Sequence, residues 1–299
     1  MNASAIRGAI GDLVLRQLPD GGFPEYAHSV YRPDSTSLAI IALHSAGRPN
    51  IDKIETARTR LAESQLSDGR VPMSSSSPAV FWPTSLAVLA WLGSPRHQEP
   101  LALAIDFLLT AGGRTIDETK NPAGLINGAI QGWSWIENTF SWVEPTALAL
   151  LALGTAGFRD HARYREGIRL LLDRQLPHGG WNYGNTVLYG QELLPQTDMT
   201  GMALSTLAGE VEKRRVENSL RYLEGRASLV RTPFSLAWAL IGLAAWDKRP
   251  KNAEKWIFES LDLQEKQGQY STSLLCLLII ASFPARGIPA LIRNREVVE

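Results

Sequence analysis

The chain has 299 residues, and its 30 acidic and 30 basic side chains leave no formal net charge. Balanced charge without a basic stripe argues against a nucleic-acid partner, and the single cysteine, Cys276, excludes an internal disulfide framework. The longest apolar run, residues 274–283, is too short to cross a bilayer. Arg7 and Asp12 interrupt the N-terminal stretch that would be apolar in a signal peptide. We therefore expect a globular, cytoplasmic protein.

Two kinds of helical segment alternate along the chain. Residues 3–17 carry apolar side chains on one face only, whereas residues 36–46 are apolar on all sides, which is typical of a helix buried all round. The predicted amphipathic helices are 3–17, 51–65, 98–110, 161–175, 210–223 and 253–264, and the predicted apolar helices are 36–46, 84–92, 146–153, 200–207, 235–245 and 272–283. Residues 284–299 are expected to form a short irregular tail of one domain spanning 1–299.

Each apolar segment opens with a similar short signature, repeated at intervals of about 34 to 62 residues. The signature positions are Thr36, Thr84, Thr146, Thr200, Phe234 and Thr272. An open solenoid does not need one helix of every pair to be apolar all round, but a closed ring does. The pattern therefore predicts an all-α fold, an (α/α)6 toroid of six inner and six outer helices. The threonines would cluster at one mouth of the ring, where N-capping is their simplest role.

Four loops that follow outer helices share a second motif. Each begins with Gln, has Gly four residues later, and in three cases ends on an aromatic residue: Gln17 to Phe23, Gln65 to Val71, Gln175 to Trp181 and Gln264 to Tyr270. Gly permits a turn with positive φ, and the Gln amide can bond backbone groups at a neighbouring helix end. The motif resembles the QW repeat of the terpenoid cyclase and protein prenyltransferase superfamily, in particular the squalene–hopene cyclases. This resemblance covers residues 3 to about 283 and implies the same toroid.

Candidate acids lie two positions before the signature residues. Reading off these positions gives Asp34, Glu144 and Asp198, which would converge on the mouth from repeats far apart in sequence. The helix dipole and capping explain acids at helix starts. Convergent carboxylates in an apolar pocket are also the usual form of a catalytic site. We therefore take these three as candidate catalytic residues.

Aromatic residues crowd the same loops, with Tyr31 and Tyr183 among them. The residues that we assign to substrate binding are Trp82, Trp133, Trp135, Trp142, Trp181 and Tyr270, together with Thr200 beside the central acid. Packing of long loops explains any one of them, but the set indicates a pocket for a bulky apolar or cationic ligand, because aromatic faces stabilise cations.

The resemblance also assigns a role to Asp198. Cyclases of the family carry Asp-x-Asp-Asp-Thr, and the stretch from Gln196 to Thr200 aligns with it so that Asp198 falls on the central aspartate, which protonates an alkene or epoxide. Gln196 and Met199 replace the flanking acids. Burial alone can still keep a carboxyl protonated, and Glu144 would share the proton if the two are close. The resemblance thus implies a class II terpene-cyclase-like enzyme that acts on a linear polyprenyl substrate, and peripheral contact with a membrane.

A further departure is that family cyclases place the active site between two toroids, whereas this chain has one. Either a second copy of the chain or a partner protein completes the cavity, or the mouth alone holds the ligand. The loop 111–141 is long for a helix connection and is expected to act as a lid. We expect no cofactor, with Mg²⁺ needed only if the substrate carries a diphosphate.

Other functions of the same fold give three alternatives. A prenyltransferase zinc site is rejected, because no Asp-Cys-His set converges around Cys276. Glycan-active toroids also combine a Trp-lined cleft with paired carboxylates, so Glu144 and Asp198 could serve as acid and base of a hydrolase or lyase. A non-catalytic toroid that binds a lipid or a partner protein is the third alternative. A closed apolar bowl would favour terpenes and an open groove would favour sugars.

Overall fold

The computed structural model describes residues 2–47, 50–116, 127–283 and 286–293. Helices dominate these ranges. They are α1 Asn2–Leu15, α2 Pro33–Ala46, α3 Ile51–Ala62, α4 Pro83–Trp91, α5 Gln98–Thr110, α6 Val143–Thr155, α7 Ala162–Asp173, α8 Thr197–Leu207, α9 Lys213–Ala227, α10 Pro233–Ala245, α11 Ala253–Asp262, α12 Gln264–Gln267, α13 Thr272–Ser282 and α14 Gly287–Arg293. A 3-10 turn, Pro95–His97, precedes α5. A two-stranded antiparallel hairpin, β1 Val187–Leu188 and β2 Gln191–Glu192, lies between α7 and α8.

Six helices form a closed inner ring. In order, α2 packs against α4, α4 against α6, α6 against α8, α8 against α10, α10 against α13, and α13 back against α2. The outer layer consists of α1, α3, α5, α7, α9 and α11, each packed on its inner neighbours. The predicted all-α fold, an (α/α)6 toroid of six inner and six outer helices, is confirmed.

Burial explains why the two kinds of helix sort into two layers. Every residue of α4 is buried, so its sequence has no polar face to present to water. The outer helix α7 buries Tyr164, Gly167, Leu170 and Leu171, which recur at the three- and four-residue spacing of one helix face. Arg163 is buried beside them, and the charged side chains of Arg165 and Arg169 lie on the exposed face.

The inner helices mostly begin earlier than the sequence predicts. Proline occupies the first helical position of α2, α4 and α10, at Pro33, Pro83 and Pro233. Proline fits there because its missing N–H would have no intrahelical partner. Thr36 and Thr84 therefore lie inside the first turns of α2 and α4, and N-capping, the role expected for them, is wrong.

The signature threonines instead clamp the loops that lead into their helices. The hydroxyl oxygen of Thr84 accepts a hydrogen bond from the Val71 N–H at 2.9 Å and donates to the Phe81 carbonyl at 2.7 Å. The same N–H bond to a threonine joins Phe23 to Thr36, Trp133 to Thr146 and Trp181 to Thr200. A buried N–H without a hydrogen-bond partner would destabilise the fold. Each threonine therefore stabilises the loop that leads into its helix.

The Gln motif works as predicted at its best-formed copies. The Gln65 side-chain amide donates to the Gly69 carbonyl in its own loop and to the Pro100 carbonyl in α5, both at 2.9 Å. Gln17 makes the same pair of bonds to Gly21 and to Lys53 in α3. Each Gln therefore ties one outer helix to the next one around the ring.

The predicted irregular tail is wrong for residues 287–293, which form α14. This helix packs against α2, α6 and α10, alternate members of the inner ring, and it lies near Ser205 and Ala245 at the ends opposite the mouth. Ile288 and Ile292 are buried. Their four-residue spacing is a helical signal that the flanking prolines obscured. Within the described ranges, no helix combines the length and apolarity needed to cross a membrane.

Candidate active site at the mouth of the ring

The first turns of the inner helices gather at one end of the ring, which we call the mouth. Asp34, Glu144 and Asp198 each occupy the second residue of an inner helix, in α2, α6 and α8 respectively. Since α6 and α8 are neighbours in the ring, Glu144 and Asp198 start from adjacent positions. The structure therefore brings two of the three predicted acids side by side.

Glu144 and Asp198 interact electrostatically. Burial in the apolar mouth, and then the neighbouring charge of Asp198, raise the pKa of Glu144 to about 7. The exposed fraction of the whole residue is nevertheless intermediate. Near neutral pH a substantial fraction of Glu144 is uncharged and can donate a proton.

The two acids also differ in the hydrogen bonds that they accept. Asp198 accepts from the Met199 N–H at 2.8 Å and from the Ser235 hydroxyl, on α10, at 3.2 Å. In the part of the chain that the structure describes, no group donates to the Glu144 carboxyl. Donors stabilise the charged form of a carboxylate, and the lack of a donor to Glu144 agrees with the raised pKa of its carboxyl.

The helix dipole acts against this arrangement but does not prevent it. At the second position of α6, the dipole favours a charged Glu144 by about 0.3–1 kcal/mol, less than a tenfold change in its ionisation equilibrium. Desolvation and the charge of Asp198 outweigh it, because the pKa still rises from 4.5 to about 7.

Asp34 does not join the pair. It is buried and forms a bidentate ion pair with Arg32, with distances of 2.9 Å to Nε and 2.8 Å to Nη2. The ion pair shows that this carboxylate balances a local cation. In the ring, α2 is not adjacent to α8, and α4 separates α2 from α6, so Asp34 starts away from the other two acids. We therefore do not retain it as a support for Glu144 and Asp198.

Aromatic side chains form the rim beside the acid pair. Trp135 and Trp142 stack with their ring centroids 5.5 Å apart. The Val143 N–H donates to the Tyr183 carbonyl at 2.8 Å, which holds Tyr183 at the start of α6. The pKa of Tyr183 is raised by burial and then by Asp198 and Glu144, so its hydroxyl lies within their field. Tyr183 therefore belongs to the site.

Trp82 belongs to the same side of the rim. It is half-buried immediately before α4, and the neighbouring Phe81 N–H donates to the Trp135 carbonyl at 3.2 Å. The loops before α4, α6 and α8 are thus joined edge to edge. Trp82, Trp135 and Trp142 are half-buried and Tyr183 is exposed, so these loops present aromatic surface to solvent at the mouth.

Four of the residues that we assigned to substrate binding lie elsewhere. Trp133 and Trp181 are fully buried, and their indole N–H groups donate to the carbonyls of Leu108 and Leu171 in outer helices. Tyr270 is buried and donates its hydroxyl to the Ser260 carbonyl at 2.7 Å. These three rings fill the space between the layers. The fourth, Thr200, is a loop clamp.

The structure adds polar groups that sequence reasoning missed. Ser235 follows the signature position of α10, and its place in Phe-Ser-Leu-Ala was the available signal. Glu25 carries no motif, yet it accepts hydrogen bonds from the hydroxyls of Ser35 and Ser273, both at 2.6 Å. Nothing in the local sequence around Glu25 marks it, because its partners come from the two ends of the chain.

Part of the predicted lid, residues 117–126 of the loop 111–141, lies outside the described residues. The parts on either side pair with each other, as in the 2.9 Å bond from the Gly113 N–H to the Gly132 carbonyl. A cavity of about 250 Å³ between them extends behind Trp142 and Gly184. Within residues 2–47, 50–116, 127–283 and 286–293, no three His, Cys, Asp or Glu side chains are grouped so as to hold a metal ion.

Comparisons with known proteins agree with the fold. No family model and no curated protein matches the sequence. Among solved structures, type II terpene cyclase MstE from Scytonema has a TM-score of 0.58 at 16% identity, over 90% of this chain and 80% of that one. The alpha-1,6-mannanase GH76A of Salegentibacter sp. HEL1_6 has a TM-score of 0.64 at 10% identity, over 98% and 100%. A protein from Actinoplanes has a TM-score of 0.56 at 18% identity, over 90% and 81%. At these identities the likeness shows the α/α-toroid fold alone.

Proposed function

We propose that the chain is a class II terpene-cyclase-like enzyme that starts the cyclisation of a linear isoprenoid by protonating it at the mouth. The observation that carries this proposal is the carboxyl pair of Glu144 and Asp198 beside the stacked rings of Trp135 and Trp142. An alkene is a very weak base, so its protonation needs an acid that is still uncharged at the working pH. Glu144 meets that requirement near pH 7.

In this proposal Glu144 is the proton donor, whereas the sequence-based prediction gives the role of general acid to Asp198. Glu144 gives its proton to a terminal carbon–carbon double bond, and the remaining carbon becomes a tertiary cation that neighbouring double bonds attack to close rings. Loss of a proton from the last cation ends the sequence. The Glu144 carboxylate that remains regains a proton from solvent, and the neighbouring carboxylate of Asp198, which accepts a hydrogen bond from Ser235, favours that reprotonation. The aromatic rim stabilises the cations by about 0.5–2 kcal/mol per favourable ring.

One comparison supports this choice of substrate class. Type II terpene cyclase MstE was solved in complex with its substrate geranylgeranyl dihydroxybenzoate, with a TM-score of 0.59 over 90% of this chain and 80% of that one. The matched part makes up 80% of that protein's chain. A single ring is therefore compatible with a cyclase, and completion of the cavity by a second copy or a partner protein stays a separate prediction.

The glycan-active alternative rests on a different observation. The match covers the whole length of the mannanase, which was solved in complex with alpha-1,6-mannotriose. An acid with a raised pKa beside a charged carboxylate is also the arrangement that glycosidases use. In that case Glu144 would protonate a glycosidic oxygen and Asp198 would act as base or nucleophile.

The first experiment is product analysis by mass spectrometry. Purified protein would be incubated with linear C15, C20 and C30 isoprenoids, free and as diphosphates, and separately with α-linked manno-oligosaccharides. The two test variants are Glu144→Gln and Asp198→Asn. The control is Glu192→Gln, which lies on the exposed hairpin. A cyclic product from the wild type and the control but not from Glu144→Gln supports the proposal. Cleaved sugars would replace it with the alternative, and no turnover of either class would leave a non-catalytic toroid.

A further inference from the structure

Glu25 forms a second, separately built carboxylate site at the mouth. Its Oε2 accepts from the Ser35 hydroxyl of α2 and the Ser273 hydroxyl of α13, both at 2.6 Å, and from the Ser273 N–H at 3.3 Å. Hydrogen bonds this short from two hydroxyls are typical of an ionised acceptor. The Ser273 N–H lies in the first turn of α13, so the N-terminus of that helix stabilises the charge further.

The ring order places Glu25 opposite the acid pair. Around the ring the inner helices follow as α2, α4, α6, α8, α10 and α13, so the junction of α13 with α2 faces the junction of α6 with α8. Glu25 lies over the first junction, and Glu144 and Asp198 start at the second. A ligand that spans the mouth would meet a carboxylate at each end.

The two sides use the same device. Asp198 accepts from Ser235, and Glu25 accepts from Ser273. Both serines come directly after the signature position of their helices. At Glu25, however, only Oε2 is engaged: in the described part of the chain no group donates to Oε1, and the residue is half-exposed. Oε1 is therefore open to a hydrogen-bond donor from a ligand.

The charges around the mouth restrict what that ligand can be. The first turns of the inner helices carry Asp34, Glu144 and Asp198, and Glu25 adds a fourth acid. The nearby Arg32 is already held by both oxygens of Asp34, and Arg16 donates to the Tyr270 carbonyl and the Thr272 hydroxyl. A diphosphate would face mainly carboxylates, whereas a hydroxyl group would find an acceptor.

We propose that Glu25 is a specificity-determining residue that accepts a hydrogen bond from a hydroxyl at the far end of the substrate, so that the mouth takes a neutral, hydroxyl-bearing isoprenoid and discriminates against a diphosphate. This inference rests on the proposed function for the isoprenoid class. The contact is made at the end away from Glu144, so it positions the chain and takes no part in proton transfer.

The test is a binding measurement that does not depend on turnover. Isothermal titration calorimetry would compare a C20 polyprenyl alcohol, the matching diphosphate with and without Mg²⁺, and the C20 hydrocarbon without a head group. We expect the wild type to bind the alcohol about tenfold or more tightly than the other two, as a hydrogen bond to a charged group implies. Glu25→Gln should lose most of that preference and should weaken the hydrocarbon by less than about twofold.

Two controls separate this role from a structural one. Glu25→Gln keeps a carbonyl oxygen for Ser35 and Ser273, so its thermal unfolding should stay close to that of the wild type. Ser273→Ala removes one donor but leaves Oε1 in place, so it should lower thermal stability and keep the preference for the alcohol. Equal loss of affinity for all three ligands in Glu25→Gln would overturn the inference, as would tightest wild-type binding of the diphosphate.

The outcomes also distinguish this inference from the proposed function. Selective binding of the alcohol without any cyclic product would leave the role of Glu25 standing and remove the cyclase proposal. A cyclic product from the diphosphate alone would keep the cyclase and overturn the role of Glu25. No binding of any isoprenoid would overturn both.

Discussion

Gly201 of α8 and Gly242 of α10 meet with no side chain between them. A Cβ added to Gly242 would lie 2.5 Å from the Gly201 carbonyl oxygen, and one added to Gly201 would collide with the backbone of Trp238. This close approach also holds Asp198 of α8 within reach of Ser235 of α10. The geometry of the acid pair therefore depends on two residues that carry no functional group.

Gly242→Ala is expected to destabilise the ring. The new methyl group must push α8 and α10 apart against a rigid backbone, and overpacking of this kind costs about 1–3 kcal/mol of unfolding free energy. The shift should also lengthen the bond from Ser235 to Asp198. Urea unfolding followed by circular dichroism measures the loss.

Gly225→Ala in α9 is the matched control. No atom lies within 4 Å of an added Cβ there, so the substitution should stabilise the protein by about 0.4–1 kcal/mol through the unfolded chain. If both variants shift stability in the same direction, the close contact of α8 with α10 does not limit packing.

Thr84→Val tests the clamp between a loop and its inner helix. The change keeps the shape of the side chain but leaves the buried Val71 N–H without its acceptor, which costs about 1–3 kcal/mol. Thr84→Ser keeps the hydroxyl and should lose clearly less stability. Chemical denaturation of the two variants side by side gives the comparison, and equal losses would show that the methyl group matters more than the hydrogen bond.

Substitution of two tryptophans in the same loop should have different effects, one mainly on stability and the other mainly on ligand binding. Trp133→Ala empties a fully buried position and orphans the Leu108 carbonyl, so it should cost about 3–5 kcal/mol. Trp142→Ala removes a half-exposed rim residue and should cost less, but it should weaken binding of an apolar ligand because the stack with Trp135 is lost. Unfolding curves and calorimetric titration with a polyprenyl alcohol would reveal this division, and a uniform effect of both variants on both readouts would contradict it.

Glu144 should make the protein less stable as the pH rises from about 4.5 to about 7. In the unfolded chain its carboxyl ionises near 4.5, whereas in the fold the pKa is about 7. Over that interval the folded state binds more protons than the unfolded state, so the unfolding free energy falls with pH. The total effect of this one group is on the order of 1–3 kcal/mol.

Glu144→Gln removes this titration. Unfolding free energies measured in urea at pH 4.5, 5.5, 6.5 and 7.5 should therefore decline less for the variant than for the wild type, and the two curves should separate most above pH 7. An identical pH dependence in both proteins would mean that the carboxyl ionises in the fold as it does in water.

Periodicity was sufficient to predict the layers of this fold because burial acts on whole helices. An apolar segment such as α4 has only one way to avoid water, and six of them require a ring. The helix α14 was missed because two buried isoleucines are too few to form a pattern. Its position depends on contacts with α2, α6 and α10 that no local sequence specifies.

The candidate site could be predicted only in part for a similar reason. Glu144 and Asp198 follow a fixed offset from the signature, so their convergence could be read from the repeat. Whether an aromatic residue faces the mouth or the core depends on tertiary contacts: the indole N–H of Trp181 bonds to an outer helix, whereas Trp142 stacks on a neighbour. Glu25 depends on the meeting of the first and last hairpins, which has no local signal.

The position of α14 has a consequence for how a ligand would enter and leave the ring. Because this helix packs against three alternate inner helices at the base, it covers the end of the ring opposite the mouth, and a ligand bound as proposed would enter and leave past Trp142 and Tyr183. A chain that enters extended and folds into a rigid, bulkier shape inside would then be harder to release than to admit. Release of the product, rather than its formation, would then limit the turnover rate. A more open rim would raise the turnover rate and shorten the time for which the product stays bound.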